Sequence, residues 1–262
     1  MMKYFNKKAT MFIALFLAMI LPDSGLKAQP QVSSQRASVN GLRASVNAGW
    51  YLGVEGGPAF GVSTLSSFGA DKTRAGYVVG TFVGYQFNPV FSLEVNARWN
   101  HLKMSARPCC IDSNDWLSAD GIRYAAEVLG EEGAYYGNLK NDVYGQNYGL
   151  RLNVNVLGFV PSLKDSPWKV EVSPQVSLVG SWAKYKRLDS DETFRVSSED
   201  KWKLGYGGNL QASYGFPCGL TLGVFSGMTF VSGGRIDALP KTFHKNNFVW
   251  ESGARIGWRF NK

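Results

Sequence analysis

The sequence predicts an all-β chain: an eight-stranded antiparallel up-and-down transmembrane β-barrel with one long extracellular loop containing a short helix. Three observations predict it. Apolar residues recur at every second position in eight separate segments, the period of a strand whose two faces meet different surroundings. Short and long connections alternate between those segments, as they do in membrane barrels. Tryptophans gather near the segment ends, where an amphipathic ring sits best at a membrane interface. Composition agrees with this. Of 262 residues, 30 are glycine, and 14% are aromatic against 18% charged. The charged share is below the ~25% of ordinary soluble domains, and the aromatic share excludes a disordered chain.

Residues 1–28 read as a secretory signal peptide. Lys3, Lys7 and Lys8 precede the apolar run Met11 to Leu21, and Ala28 offers a small residue at the cut. Eleven apolar residues reach only ~16 Å as a helix, about half a ~30 Å hydrocarbon core. With the four lysines and one aspartate of this segment removed, 24 bases and 19 acids remain, a net +5. Residues 29–47 are polar and hold a short duplication, Arg36 to Asn40 and Arg43 to Asn47. Two copies make no solenoid, and the segment reads as a flexible periplasmic leader into a barrel of residues 48–262.

The eight segments follow in order. Trp50, Leu52 and Val54 alternate with Tyr51, Gly53 and Glu55; Tyr77, Val79, Thr81, Val83 and Tyr85 form the second apolar row. Phe91, Leu93, Val95 and Trp99 oppose Glu94, Asn96 and Arg98, and Leu150, Leu152 and Val154 oppose Arg151 and Asn153. Trp168, Val170, Val172 and Val176 oppose Lys169, Glu171 and Gln175. Trp202, Leu204, Tyr206 and Leu210 oppose Lys203, Asn209 and Gln211, while Leu222, Val224, Met228 and Phe230 oppose glycine and threonine. The last segment sets Phe248, Trp250, Ile256 and Trp258 against Glu251, Gly253 and Arg255. Short turns fall at Asn88-Pro89, 161–167 and 215–219; long loops fall near 64–73, 105–142, 187–199 and 232–246. A soluble sandwich would not set tryptophans such as Trp50, Trp99, Trp168, Trp182, Trp202, Trp250 and Trp258 on its apolar parity near strand ends. A sheet that crosses a bilayer must close, because lipid leaves an open edge unsatisfied.

The terminal strand carries a specific pattern. Glu251, Gly253, Ile256 and Trp258, followed by Phe260, have the polar-x-Gly-x-x-apolar-x-apolar form of a barrel-assembly signal. On this and the architecture, the chain from about 48 to 262 resembles the small outer-membrane barrels labelled PorT-like, and more loosely OmpA-type barrels. The resemblance implies a bacterial outer-membrane location, outer-membrane lipid and the barrel-assembly machinery as partners, and no catalytic motif. PorT-like kinship would also imply an accessory subunit of a secretion or uptake machine of the type IX kind. Lys262 after Phe260 departs from barrels that end on the aromatic.

An eight-stranded barrel is wide enough only for its own side chains or one small ligand. The inward set includes Glu55, Glu94, Arg98, Arg151, Lys169, Glu171, Lys203, Glu251 and Arg255. Charges so confined must pair or meet water. The expectation is an ion-pair network that plugs the lumen; a gated ion path is the alternative.

The 105–142 loop holds seven acids against three bases. Ile122, Ala125, Ala126 and Leu129 recur at helical spacing, with Asp120 to cap and Gly130 to end a short helix. Either a lid on the barrel rim or a docking site for a protein partner follows, with Asp112, Asp115, Asp120, Ile122 and Leu129 as binding candidates. Asp112 to Asp115 fails the EF-hand spacing. Cys109, Cys110 and Cys218 match no zinc pattern, so no metal or cofactor is expected. His101 and His244 have no serine two residues on and no acid nearby in sequence, which argues against a lipid-modifying enzyme. Bases spread through lumen and loops give no nucleic-acid patch. The expected function is non-enzymatic: a barrel that presents loops for binding, adhesion or envelope support.

Overall fold

In a computed structural model, the described residues are 48–111, 114–118, 122–125, 127, 133–198, 202–238 and 247–260. The signal segment and the 29–47 leader lie outside them. Along the chain run β1 (Gly49–Val62), β2 (Gly76–Gln86), β3 (Phe91–Ser105), the single-turn helix α1 (Pro108–Ile111), and the short strands β4 (Trp116–Ser118), β5 (Arg123–Tyr124) and β6 (Gly133–Tyr135). Then come β7 (Leu139–Asn155), β8 (Trp168–Arg187), β9 (Thr193–Ser198), β10 (Lys203–Gly215), β11 (Leu220–Ser232) and β12 (Phe248–Arg259).

Eight of these close into a barrel. Antiparallel pairing runs β10-β11-β12-β1-β2-β3-β7-β8, and β8 returns to β10 from Lys203↔Val179 to Tyr214↔Trp168. First and last strands meet from Tyr51↔Arg259 to Val62↔Phe248. That ladder skips the stretch between Gly56↔Ala254 and Ala59↔Glu251, where Pro58 has no amide to give. Here the backbones crowd together, and a Cβ on Gly253 would stand 2.0 Å from the Gly56 carbonyl oxygen. The short turns β2–β3, β7–β8 and β10–β11 share one end with the barrel's first and last residues, and the four long connections share the other.

The alternation sorts side chains as it should. Leu52, Val54, Val79, Leu150, Val172, Leu204 and Val224 are exposed, whereas Glu55, Glu94, Arg98, Arg151 and Glu251 are buried inside. All eight expected segments are strands. Their bounds differ at the long-loop end, where β3, β7 and β8 have 15, 17 and 20 residues. β7 begins at Leu139, eleven positions before the expected apolar row. Its first half sets Leu139, Asn141, Val143, Gly145 and Asn147 inward against lysine, aspartate and tyrosine outward, so no apolar row faces out there; pairing to β3 and β8 on either side makes it strand. The expected 187–199 loop holds β9, which extends the sheet along β8 from Trp182↔Ser198 to Lys186↔Thr193.

At its described start the expected loop helix is strand instead. Ile122 and Ser118 exchange hydrogen bonds, Arg123 pairs with Leu117 and Tyr124 with Trp116. With β6 on the other side of β4, this is a three-stranded sheet. Helical spacing at Ile122 lost to cross-strand pairing around the buried Leu117 and Ala134. Asp120, Ala126, Leu129 and Gly130 fall outside the described residues.

Candidate functional site

The central lumen is filled by three arginines and three glutamates from four strands. Arg98 on β3 bonds Glu55 on β1 through Nε, and its Nη1 reaches Glu251 on β12 at 2.6 Å. Glu251 also accepts from Asn100 at 3.0 Å. Arg151 on β7 holds Glu94 at 2.7 Å and lies 3.9 Å from Glu55. Arg255 on β12 completes the ring, 3.2 Å from Glu55 and 2.7 Å from Glu94. The six formal charges cancel, so the group is sealed in with no net charge. Aromatic faces support it: Arg255 lies 3.9 Å from the Phe82 centroid and Arg98 5.1 Å from Phe225. Phe82 leans over Gly53 on the neighbouring strand, where a Cβ would come within 2.4 Å of its ring and 2.2 Å of the Ile256 carbonyl oxygen; a larger residue there would clash with both.

The other three expected lumen charges sit apart from this ring. Lys169 bonds Gln86, and Glu171 accepts from Gln211 at 2.6 Å, both toward the short-turn end. They line a recess of about 60 Å³ with Tyr51, Asn153 and Arg259. Lys203 belongs to the opposite mouth, against Ser181 and the Arg235 carbonyl.

That mouth also holds apolar residues, which the expected ion-pair network did not include. Leu65, Leu102, Met104, Leu139, Val143, Tyr185 and Ile236 form a buried apolar cluster in the upper barrel and its cap. The space left beside Ile236, among Leu102, Val143, Val179 and Val249 and the polar Asn100, Asn147, Ser181 and Thr229, is about 10 Å³, room for about one water. Polar stitches hold the cap. Asp237 Oδ2 accepts the amides of Thr64 at 2.9 Å and Leu65 at 3.2 Å. Tyr136 donates to the Thr64 carbonyl at 2.5 Å, and Tyr185 donates to the Asp237 carbonyl. Asn247 takes the Ile236 amide at 3.0 Å and gives to the Val231 and Gly234 carbonyls. None of Asp237, Asn247, Tyr136 or Tyr185 stood out in the sequence: the first three lie between the long strands, and Tyr185 near the end of β8 is a single polar residue with no periodic signal of its own.

The loop candidates scatter. Asp115 is fully buried and its carbonyl accepts the Tyr136 amide at 2.9 Å, so it is an element of the cap rather than a displayed side chain. Ile122 is exposed. Asp112, Asp120 and Leu129 lie outside the described residues. Of the terminal pattern, Ile256, Trp258 and Phe260 face outward, Gly253 occupies the tight contact with β1, and Glu251 is inside with Arg98. Cys218 is exposed in the β10–β11 turn, at the end away from α1. His101 does have an acid, which sequence proximity concealed: Asp142 on β7 stands 3.3 Å from its Nε2. Among the described residues no group of three or more His, Cys, Asp or Glu could hold a metal.

No family profile matches the sequence, and no curated protein matches it. Solved structures do. Neisserial surface protein A is 14% identical, with 80% of this chain and 97% of that chain covered and a TM-score of 0.43. Ail, the attachment invasion locus protein of Yersinia pestis, is 8% identical over 82% and 99%, at 0.43. A major outer membrane protein from Thermus thermophilus is 14% identical over 80% and 99%, at 0.44. The barrel assignment rests on the closed strand pairing of this chain itself.

Proposed function

We propose that this chain is a non-enzymatic bacterial outer-membrane barrel with a plugged lumen, whose capped outer end presents loops for binding, adhesion or envelope support. One observation carries the membrane reading: the barrel is inside out. Arg98 and Arg151 are among the largest fully buried side chains, while some three dozen large apolar residues are exposed. Water-soluble monomers rarely expose apolar patches beyond a few hundred Å²; a hydrocarbon surround makes the same face favourable. Residues 1–28 supply the export signal and the terminal strand supplies the assembly signal in this reading. The lumen ring and the apolar cap leave the loop surface as the place for a protein partner. An accessory role in type IX-like secretion rests on the sequence resemblance alone, and no described residue favours it. The test is reconstitution. The full chain without residues 1–28, refolded into phosphatidylcholine vesicles, is expected to resist carbonate extraction, give a β circular-dichroism spectrum and migrate faster unheated than heated in detergent gels. Extraction by carbonate or a helical spectrum would overturn the reading.

A further inference from the structure

We propose that the outer wall of β3, β7 and β8 at the long-loop end is a seat for the phosphate groups of a lipid headgroup. The proposal rests on the membrane reading above. Pairing register stacks three outward rows there. The lowest is aromatic: Tyr77, His101, Tyr144 and Trp182 are directly opposite one another across β2, β3, β7 and β8. His101 stacks on Tyr144 at 4.5 Å between centroids, and Tyr144 on Trp182 at 4.1 Å. The next row is Lys103, Asp142 and Lys184, and above it Lys140 faces Lys186.

Four ammonium groups thus surround one carboxylate in the wall. Asp142 is already shared by Lys186 at 2.8 Å and His101 at 3.3 Å. Lys140 meets Asp191, a residue on the exposed β8–β9 connection, at 2.7 Å. Among the described residues Lys103 and Lys184 make no ion pair; Lys184 Nζ instead lies 5.4 Å from the Trp182 ring centroid. Like charges directly opposite on neighbouring strands destabilise a sheet, and Lys140↔Lys186 is such a pair. Asp142 and Asp191 already answer that pair, which leaves the charges of Lys103 and Lys184 for an added anion.

Height selects the kind of anion. Twelve residues separate Phe91 from Lys103 on β3. At ~3.3 Å per residue and a tilt of ~40°, that is ~30 Å along the barrel axis, just past the ~25 Å apolar band of such barrels. At that level on the outer wall the neighbours are lipid headgroups, and a phosphorylated glycolipid would set its phosphates among the lysines and its sugar against the aromatic row. Lysine binds phosphate as a point charge without a demanding geometry, which suits a mobile headgroup.

Native mass spectrometry of the full chain without its leader, in dodecyl maltoside, tests this with diphosphorylated lipid A and its dephosphorylated form as probes. Retention of the diphosphorylated lipid is expected, at least about tenfold above the dephosphorylated one. The triple variant Lys103→Gln/Lys184→Gln/Lys186→Gln is expected to lose about tenfold in retention, and the matching arginine variant to keep it. All three positions face outward, so heat-modifiable migration should not change. Equal retention of the two lipids overturns the proposal without any variant, and so does full retention by the glutamine variant. Displacement of the lipid by millimolar inorganic phosphate would also overturn it, since the site would then take free anion. Failure of the unmutated chain to enter vesicles at all would strike the membrane reading instead.

Discussion

Arg98 donates to carboxylates from β1 and β12, 43 and 153 positions away in the chain. Truncating it would leave Glu251 with only the Asn100 amide among its named partners, and Glu55 with Arg255 and the more distant Arg151, in a closed lumen. Breaking one partner of a buried ion pair typically costs ~3–5 kcal/mol. Arg98→Ala is therefore expected to lower the unfolding free energy by about that amount in vesicle-based urea titrations. A loss within error would show that water, not the arginine, satisfies those carboxylates. At Gly253 the structure changes what a mutation can mean. A side chain there would strike the Gly56 carbonyl, so Gly253→Asp would fail through the β1–β12 seam whether or not the assembly machinery reads the position. Phe260 is the cleaner probe, half exposed and tied to β1 only by its amide to the Trp50 carbonyl at 3.0 Å. Phe260→Ala should reduce assembled barrel in cells and leave its refolding in vitro intact; equal cellular yield would end the signal reading. At the mouth, partial burial would raise the Asp71 carboxyl, but the Ser105 hydroxyl, the Lys72 amide and Arg74 together hold it below its ordinary 3.8. A depressed carboxylate stabilises the fold above its unfolded value and loses that contribution as pH falls through the folded one. Hydrogen exchange of the 63–75 amides, corrected for intrinsic rates, should accelerate below about pH 4 and lose this pH dependence in Asp71→Asn.

The described residues of the 106–138 connection form a small sheet of their own, which bears on what its removal should do. β4 and β6 carry Leu117 and Ala134, and Tyr136 follows them into the cluster beneath the cap. Replacing residues 108–138 with a short Gly-Ser turn leaves every barrel strand intact, so heat-modifiable migration should persist. Burying each large side chain is worth ~1.5–3 kcal/mol, so loss of Leu117 and Tyr136 should lower stability by about 3–6 kcal/mol and shift the unfolding midpoint accordingly. An unchanged midpoint would mean the sheet rides on the barrel without supporting it. The eight barrel strands were legible because the signal is local: a two-residue period from Phe91 to Trp99, or from Trp168 to Leu178, needs no knowledge of the partner strand. The lumen charges were legible by the same parity, as at Glu55, Glu94 and Arg151. Who pairs with whom was not, since Glu94 and Arg255 stand 161 positions apart. The cap was least legible. Thr64 and Leu65 depend on Asp237 from the far end of the chain, and the helical spacing at Ile122 pointed to the wrong element. His101 and Asp142 were separated by a loop that the register of β3 and β7 removes.

At the scale of the whole barrel, the lumen is closed twice by different physics, and conductance measures both. Near the short-turn end the recess by Lys169 and Glu171 is open to water. Above it the Arg98, Arg151 and Arg255 ring with its three glutamates occupies the axis as a neutral, hydrogen-bonded block. Above that, Leu102, Val143, Val179, Val249 and Ile236, with Asn100, Asn147, Ser181 and Thr229 among them, leave about 10 Å³, and an ion would have to shed its water to pass so narrow a layer, at a free energy far above thermal. Planar-bilayer recordings of the unmutated barrel should therefore stay at baseline. The two closures are in series, so neither alone should be needed. Arg98→Ala opens the charged block and leaves the narrow layer standing, and it should still give no steps. Ile236→Gly with Leu65→Gly thins the narrow layer and leaves the ring, and it too should stay closed. Only the combination should admit small monovalent ions. Stable steps from the unmutated barrel would refute the plug outright, and steps from Arg98→Ala alone would show that the cap above it is open on the time scale of the recording.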